Sequence, residues 1–403
     1  MSKYLVILLV FFHIIVLQLQ PIMARGFSVL ETTDSLLRSA VLLMESDPDK
    51  ARTLIDEALS LSESADLLKN IATSLNYKGL SYYGEQNYDE AVKYFQQSLK
   101  VLFRIGDKKK IANMMKKIGL AYLNQRKYSK AIEYYGFAQK IFEQLKYIDR
   151  KAETHVEIGI IYNLSERYAS AIQEFEEALQ LYKILDNKTG QVESLHNMAI
   201  AYHKYGNYKN AQECFIASIK IYETYLDNIG LSKVLNDYAN VLIDVKDYKK
   251  ALAVLERAKN KTNRKDAYLF SEVLANYGTV LIYDGELELA EKQLTKALEL
   301  ADSLAVDDVQ AKVYRALYEL HFRKNDTRSA LSYYQKYIAA KDTVSSVVTP
   351  ASIDSGDSQH LNNLIIFITV FAFLSVIGLV IWLVSVIRQR DRAMEELKRL
   401  KNS

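Results

Sequence analysis

Proline is nearly absent from this 403-residue chain: Pro21, Pro48 and Pro350 are the only three. Proline interrupts helix interiors, so residues 49–349 are free to be helical throughout. Strand signatures, alternating polar and apolar runs bounded by Gly and Pro turns, are lacking as well. A single cysteine, Cys214, excludes an intrachain disulfide framework and any cysteine-based metal site. It sits in the apolar stretch Gln212-Glu213-Cys214-Phe215-Ile216 and reads as a buried, inert thiol. These absences leave an all-α chain, and at 49% apolar residues it has material for a long continuous core.

Strong charge of one sign is also missing. The formal net charge is +3, of which Lys3 supplies +1 and residues 388–403, with six basic and three acidic side chains, supply +3. Residues 25–360 are left near −1, which offers no electrostatic footprint for nucleic acid.

Two long apolar runs set the expected topology. Residues 1–24 carry Lys3, an apolar run from Tyr4 to about Leu19 and the ending Pro21-Ile22-Met23-Ala24, the make-up of a secretory signal peptide. An uncleaved signal anchor is the other reading, and either sends the following residues across a membrane. Residues 361–387 are uncharged, and Leu364–Ile387 is long enough to cross a hydrocarbon core of about 30 Å. Trp382 stands near its end and Arg388, Arg390 and Arg392 follow, so the positive-inside rule places the C-terminus in the cytoplasm. Residues 342–360, rich in Ser, Thr and Asp, read as a stalk. The tail 388–403 puts Met394, Leu397 and Leu400 on one face among basic residues, the make-up of a partner-binding or lipid-contacting helix.

The remainder, 25–341, is periodic. Small residues recur as Ser39, Gly79, Gly119, Gly159, Ala199, Ala239 and Gly278, spaced by 40 and once by 39, and the next step lands on Tyr318. Twelve residues after each of these anchors stands alanine: Ala51, Ala91, Ala131, Ala171, Ala211, Ala251, Ala290 and Ala330. Nine after five of them stands tyrosine, and sixteen after them a large apolar side chain such as Phe95, Tyr135, Phe175 or Phe215. Each unit contains two amphipathic helices: around Gly159, Val156, Ile160 and Ile161 belong to the first, and Ala171, Ile172, Phe175, Ala178 and Leu179 stripe the second. Two helices approach closely only where one lacks bulk, which gives the small residues a packing reason.

The pattern Gly159, Tyr162, Tyr168, Ala171, Phe175 and Ala178, recurring as Gly79, Tyr82, Tyr88, Ala91 and Phe95, resembles the tetratricopeptide repeat family. That resemblance implies an α-solenoid of about eight helix-turn-helix units. The 40-residue unit is longer than the family's usual 34, and the closing proline is missing. With its signal peptide and C-terminal span, the chain also resembles the extracytoplasmic sensor half of bacterial membrane histidine kinases. Those proteins place a kinase or DNA-binding domain after the span, whereas 16 residues follow here, so that activity is not carried over. The location implied is the bacterial cytoplasmic membrane, single-pass after signal cleavage, with the array on the periplasmic side.

Catalytic patterns do not occur. There is no HExxH, no GxSxG, no P-loop and no GxGxxG, and carboxylates are scattered along polar faces. No enzyme activity, cofactor or metal is expected. By the family resemblance, residues at −6, −3, +1, +4 and +5 from each anchor line a concave surface. The candidates for binding a protein or peptide there are Asn113, Asn124, Asn163, His196, His203, Asn236, Asn240 and Tyr283, with Phe322 farther along. An asparagine amide donates and accepts together, so it suits an extended backbone. Asn236 and Asn240, one turn apart, are expected to share one open face. The expected function is a membrane-anchored interaction scaffold. The alternative is the sensor subunit of a split signalling system whose tail addresses a separate cytoplasmic kinase or regulator.

Overall fold

A computed structural model describes residues 29–225, 230–262, 266–304 and 307–347. The expected signal peptide, the span 361–387, the tail 388–403 and residues 348–360 of the expected stalk lie outside them. Among the described residues no helix is long and apolar enough to cross a membrane.

The described residues form sixteen helices and no strand. In chain order they are α1 (29–43), α2 (Pro48–Ser64), α3 (Leu68–Gly84), α4 (Tyr88–Ile105), α5 (Lys108–Asn124), α6 (Tyr128–Gln144), α7 (Ile148–Leu164) and α8 (Tyr168–Ile184). They continue as α9 (Lys188–Lys204), α10 (Tyr208–Tyr225), α11 (Leu231–Asp244), α12 (Tyr248–Lys261), α13 (Ala267–Asp284), α14 (Leu287–Leu304), α15 (Asp307–Arg323) and α16 (Thr327–Val347). Odd helices carry the anchors and even helices the alanines, so the array has eight pairs. Pro48 opens α2 behind the N-cap Asp47, a place where its missing N–H costs nothing. At the other end α16 continues to Val347, into the segment expected to be stalk.

The turns explain how residues 49–347 stop their helices without proline. After α3, Gln86 takes a left-handed φ of 61°, its N–H donates to Tyr83 O, and Asn87 N–H donates to Tyr82 O. This is the Schellman arrangement, which satisfies carbonyls that a helix end leaves open. It recurs at Arg126, Glu166, Gly206, Lys246 and Asn325 within units, and at Asp66, Lys146 and Asp186 between units. The tyrosine nine after the anchor then opens the second helix, as Tyr88, Tyr128, Tyr168, Tyr208 and Tyr248.

Packing follows the register. The repeat alanines from Ala51 to Ala290 are completely buried. A Cβ built on Gly159 would lie 2.6 Å from Phe175 Cε1, and one on Gly79 would lie 2.5 Å from Phe95 Cδ1. The anchor is therefore small because the ring sixteen residues later fills its space. Burying such a ring contributes roughly 1.5–3 kcal/mol, and Phe95, Phe175 and Phe215 are all essentially inaccessible. One apolar core runs without a break from Ala152 in α7 to Leu320 in α15. Cys214 belongs to it, and burial pushes its thiol up to about 11. At the last unit the anchor is itself a ring, Tyr318, so the same position, Tyr334 on α16, lies against that ring at 5.4 Å and stays 44% exposed.

Candidate ligand groove on the first helices

Successive first helices touch one another: α7 meets α9, α9 meets α11, α11 meets α13 and α13 meets α15. This close row is the inner side of the array. Its side chains are tied across neighbouring units by a repeated rule. A residue three before one anchor bonds to the residue two before the next. Lys117 Nζ donates to Asn76 Oδ1 at 2.6 Å, Lys116 pairs with Glu157 at 3.1 Å, and Asn276 Nδ2 donates to Asn236 Oδ1 at 2.9 Å. His196 Nε2 lies 2.7 Å from Asp237 Oδ2 in the same register. A second rung joins offsets +4 and +5: Asn124 Nδ2 donates to the Tyr83 hydroxyl, and His203 Nε2 lies 2.7 Å from Asp244 Oδ2. A carboxylate only accepts, so each of these imidazoles carries its proton on Nε2.

Between α9 and α15 the row opens into a groove of about 830 Å3. Of the expected binding residues it gathers His203, Asn240 and Tyr283. It adds four that sequence reasoning missed: Asn276 and Thr279 on α13, and Lys312 and Arg315 on α15. Lys312 and Arg315 stand at −6 and −3 from Tyr318, so the offset rule that gave Phe322 at +4 also reaches them. Lys312 Nζ is 3.5 Å from Glu272. Burial holds the Glu272 carboxyl above its ordinary range, with Lys312 opposing. Arg315 is exposed and has no hydrogen-bond or ion-pair partner among the described residues. Tyr283 stacks on Tyr248 with ring centres 4.6 Å apart, and the Arg323 guanidinium lies 4.8 Å above its ring.

The other candidates go elsewhere. Asn236, expected to share an open face with Asn240, is instead 1% exposed and held by Asn276 beneath the groove floor. The reason is geometric: offset −3 on α11 points at α13, while offset +1, where Asn240 stands, clears it. His196 lies beside the groove, taken up by Asp237, and Asn124 is held by Tyr83. Asn163 is half-buried on α7 and its buried Oδ1 lacks a hydrogen-bond partner. Asn113 lines a separate hollow on α5. Phe322, 62% exposed, rests against Tyr318 at the groove's end. Among the described residues no cluster of His, Cys, Asp and Glu has the geometry to hold a metal ion.

A family model described as "Tetratricopeptide repeat" matches residues 31–102, 70–144, 110–184, 150–224 and 190–260, more than half of the chain. The chain belongs to the tetratricopeptide repeat family. Solved structures agree on the fold. The apo form of RapI is 15% identical with a TM-score of 0.60, over 80% of this chain and 98% of that one. The apo form of the quorum sensor NprR from B. thuringiensis is 16% identical with a TM-score of 0.57, over 82% and 95%. Aspartyl phosphate phosphatase F from Bacillus subtilis is 17% identical with a TM-score of 0.56, over 72% and 75%. No curated protein matches the sequence. As a tetratricopeptide repeat array, the molecule is an interaction scaffold in its architecture.

Proposed function

We propose that this tetratricopeptide array binds an extended segment of a partner protein or peptide in the groove between α9 and α15, and that it does so anchored to a membrane on the extracytoplasmic side. The observation that carries the binding reading is the convergence of Asn240, Thr279, Tyr283 and the unpaired Arg315 from three successive first helices on one groove. Amides and a hydroxyl meet a backbone, the stacked tyrosines offer an apolar flank, and Arg315 meets a carboxylate or a carbonyl. Anchoring is supported by the uncharged run Leu364–Ile387 and the arginines that follow it. The resemblance to kinase sensor halves and the basic tail support the alternative, a sensor subunit relaying to a separate cytoplasmic regulator.

The test is partner capture by crosslinking the full chain in membranes, followed by calorimetry with the captured partner. A hydrogen bond to a charged group contributes about 1.5–3 kcal/mol, so Arg315→Ala should weaken binding roughly tenfold to a hundredfold. Equal affinity for wild type and an Arg315→Ala, Asn240→Ala double variant would move the site elsewhere. Exchanging residues 361–403 for an unrelated anchor separates the two readings: a scaffold keeps its activity and a relay loses it.

A further inference from the structure

The first and last helices of the array each keep a face open to solvent. Inside the array a second helix is covered by the first helix of the next unit. Thus α15 packs on α14, where Leu294, Ala297 and Ala301 are completely buried. The same positions on α16 are Tyr334, Tyr337 and Lys341, and its face stays open, with Leu331 58% and Ile338 37% exposed. At the other end α1 buries Leu37 and Ala40 in a cluster with Ala51, Ile55 and Ala58 of α2. Its opposite face carries Glu31, Arg38, Val41 and Leu42, all of them exposed.

These two faces match when the helices run antiparallel, as a second helix and the next first helix do within the array. Counting back from Lys341 along α16, Tyr334 stands seven residues away and Leu331 ten. Counting forward from Glu31 along α1, Arg38 stands seven residues away and Val41 ten. At a rise of about 1.5 Å per residue, each face is about 15 Å long. Laid together, Lys341 meets Glu31, the Tyr334 ring meets the Arg38 guanidinium, and Leu331 meets Val41 and Leu42. Arginine over a tyrosine ring is a contact that the array already uses, at Arg52 with Tyr82 and at Arg323 with Tyr283. Neither Lys341 nor Glu31 has an ion-pair partner among the described residues. Asp34, which accepts from Asn70 at 2.9 Å, adds negative charge at the Glu31 end.

The other pairings of these ends do not match. An antiparallel α16 on α16 sets Lys341 against Leu331, and α1 on α1 sets Glu31 against Val41, so each covers a charge with an apolar side chain. In one chain fourteen helices separate α1 from α16, so the α1 that meets α16 is a second copy's. We propose that copies of this chain associate head to tail, α1 of one copy docking antiparallel on α16 of the next, so that the row of helix pairs continues across the junction. Such a contact is heterologous: it joins two different surfaces, and it extends into a row or closes into a ring rather than stopping at two copies.

The test is disulfide crosslinking of the full chain in membranes, using two differently tagged copies. One carries Val41→Cys and the other Leu331→Cys; Cys214 is buried, and a pair without the new cysteines gives the background. The mixture should yield a crosslinked pair bearing both tags. Each variant alone should yield none, and a chain carrying both cysteines should yield a ladder of three copies and more. No product from the mixture, as when another segment or another protein covers either face, overturns the proposal. So does a pair formed by Val41→Cys alone, which means head to head, or by Leu331→Cys alone, which means tail to tail. Lys341→Glu in the Leu331→Cys copy should lower the mixed yield about twofold to fivefold, and Glu31→Lys in the other copy should restore it. A yield that Lys341→Glu leaves unchanged, or that Glu31→Lys fails to restore, overturns the pairing of these ends. The outcome is independent of what the groove between α9 and α15 binds.

Discussion

Replacing Asn236 with alanine removes the acceptor that holds Asn276 Nδ2 at 2.9 Å, in a place where Asn236 is 1% and Asn276 4% exposed. Water does not reach the donor left behind, so the cost is that of an unsatisfied buried amide, about 1–3 kcal/mol. Asn276→Ala leaves the mirror-image orphan at similar cost. The double alanine variant leaves neither group unpaired, so its destabilisation should fall short of the sum of the two by about 0.5–3 kcal/mol, the usual coupling between residues in contact. Global melting suits this test poorly, because long repeat arrays lose cooperativity. Hydrogen exchange of the amides in α11 and α13 reads the local opening free energy directly. Additive single and double effects would mean that the two amides are solvated independently and that the groove floor is wet.

Two glycines on first and second helices should respond with opposite signs. Gly159→Val puts a methyl-bearing carbon against the buried Phe175 ring and should cost about 1–3 kcal/mol in melting experiments; Gly136→Ala, with nothing within 4 Å, should gain up to about 1 kcal/mol of helix propensity. At the turns, Glu166 holds φ 59° where the chain elsewhere uses Gly206 and Gly285. Glu166→Gly relieves a left-handed cost of about 1–2 kcal/mol against about 0.4–1 kcal/mol of added unfolded-chain entropy, so a small rise in melting temperature is expected and a fall would refute it. Burial chiefly, opposed by Lys116, holds the Glu157 carboxyl above its ordinary range. A raised acid pKa means that the folded state binds the proton more readily, so this stabilising contribution is full below the unfolded value and fades as pH rises through the folded one. Glu157→Gln should flatten the gain in stability between neutral pH and about pH 5; identical slopes for both proteins would remove Glu157 as the cause.

Much of the fold was legible because a repeat states its own alignment. Gly159 with Phe175 and Ala171 predicts a close helix pair from one unit, and six other units repeat the statement with a small anchor. The binding face was legible only in part. Offsets from the anchor identify which residues leave the first helix on the inner side, and Asn240 and Tyr283 were reached that way. Whether such a residue meets solvent or the next helix depends on how far adjacent first helices slide together, which no single unit records. Asn236, His196, His203 and Asn124 are consumed by partners 40 or 41 residues downstream or upstream. That spacing was present in the sequence, but it becomes a signal only when offset −3 is compared with −2, and +4 with +5, of the next unit. Lys312 and Arg315 stand at offsets from Tyr318 that the rule covers, as Phe322 does, but a basic residue there looks like any solvated lysine or arginine until the groove around it is known.

The left-handed turn residues carry a consequence of their own. Asp66, Gln86, Gly106, Arg126, Lys146, Glu166, Asp186 and Gly206 all have positive φ and follow one another at intervals of 20. In backbone terms the chain therefore counts in single helices, and only its side chains count in pairs. A duplication or loss of 40 residues preserves both rhythms and leaves every turn and every cross-link rung matched. A change of 20 keeps the backbone rhythm but, at its junction, sets an alanine-bearing helix where a glycine-bearing one belongs, so a ring there loses the small residue it packs on. An array of this kind can lengthen or shorten by whole units without redesign of any junction, and the reach of its inner face is set by the number of units.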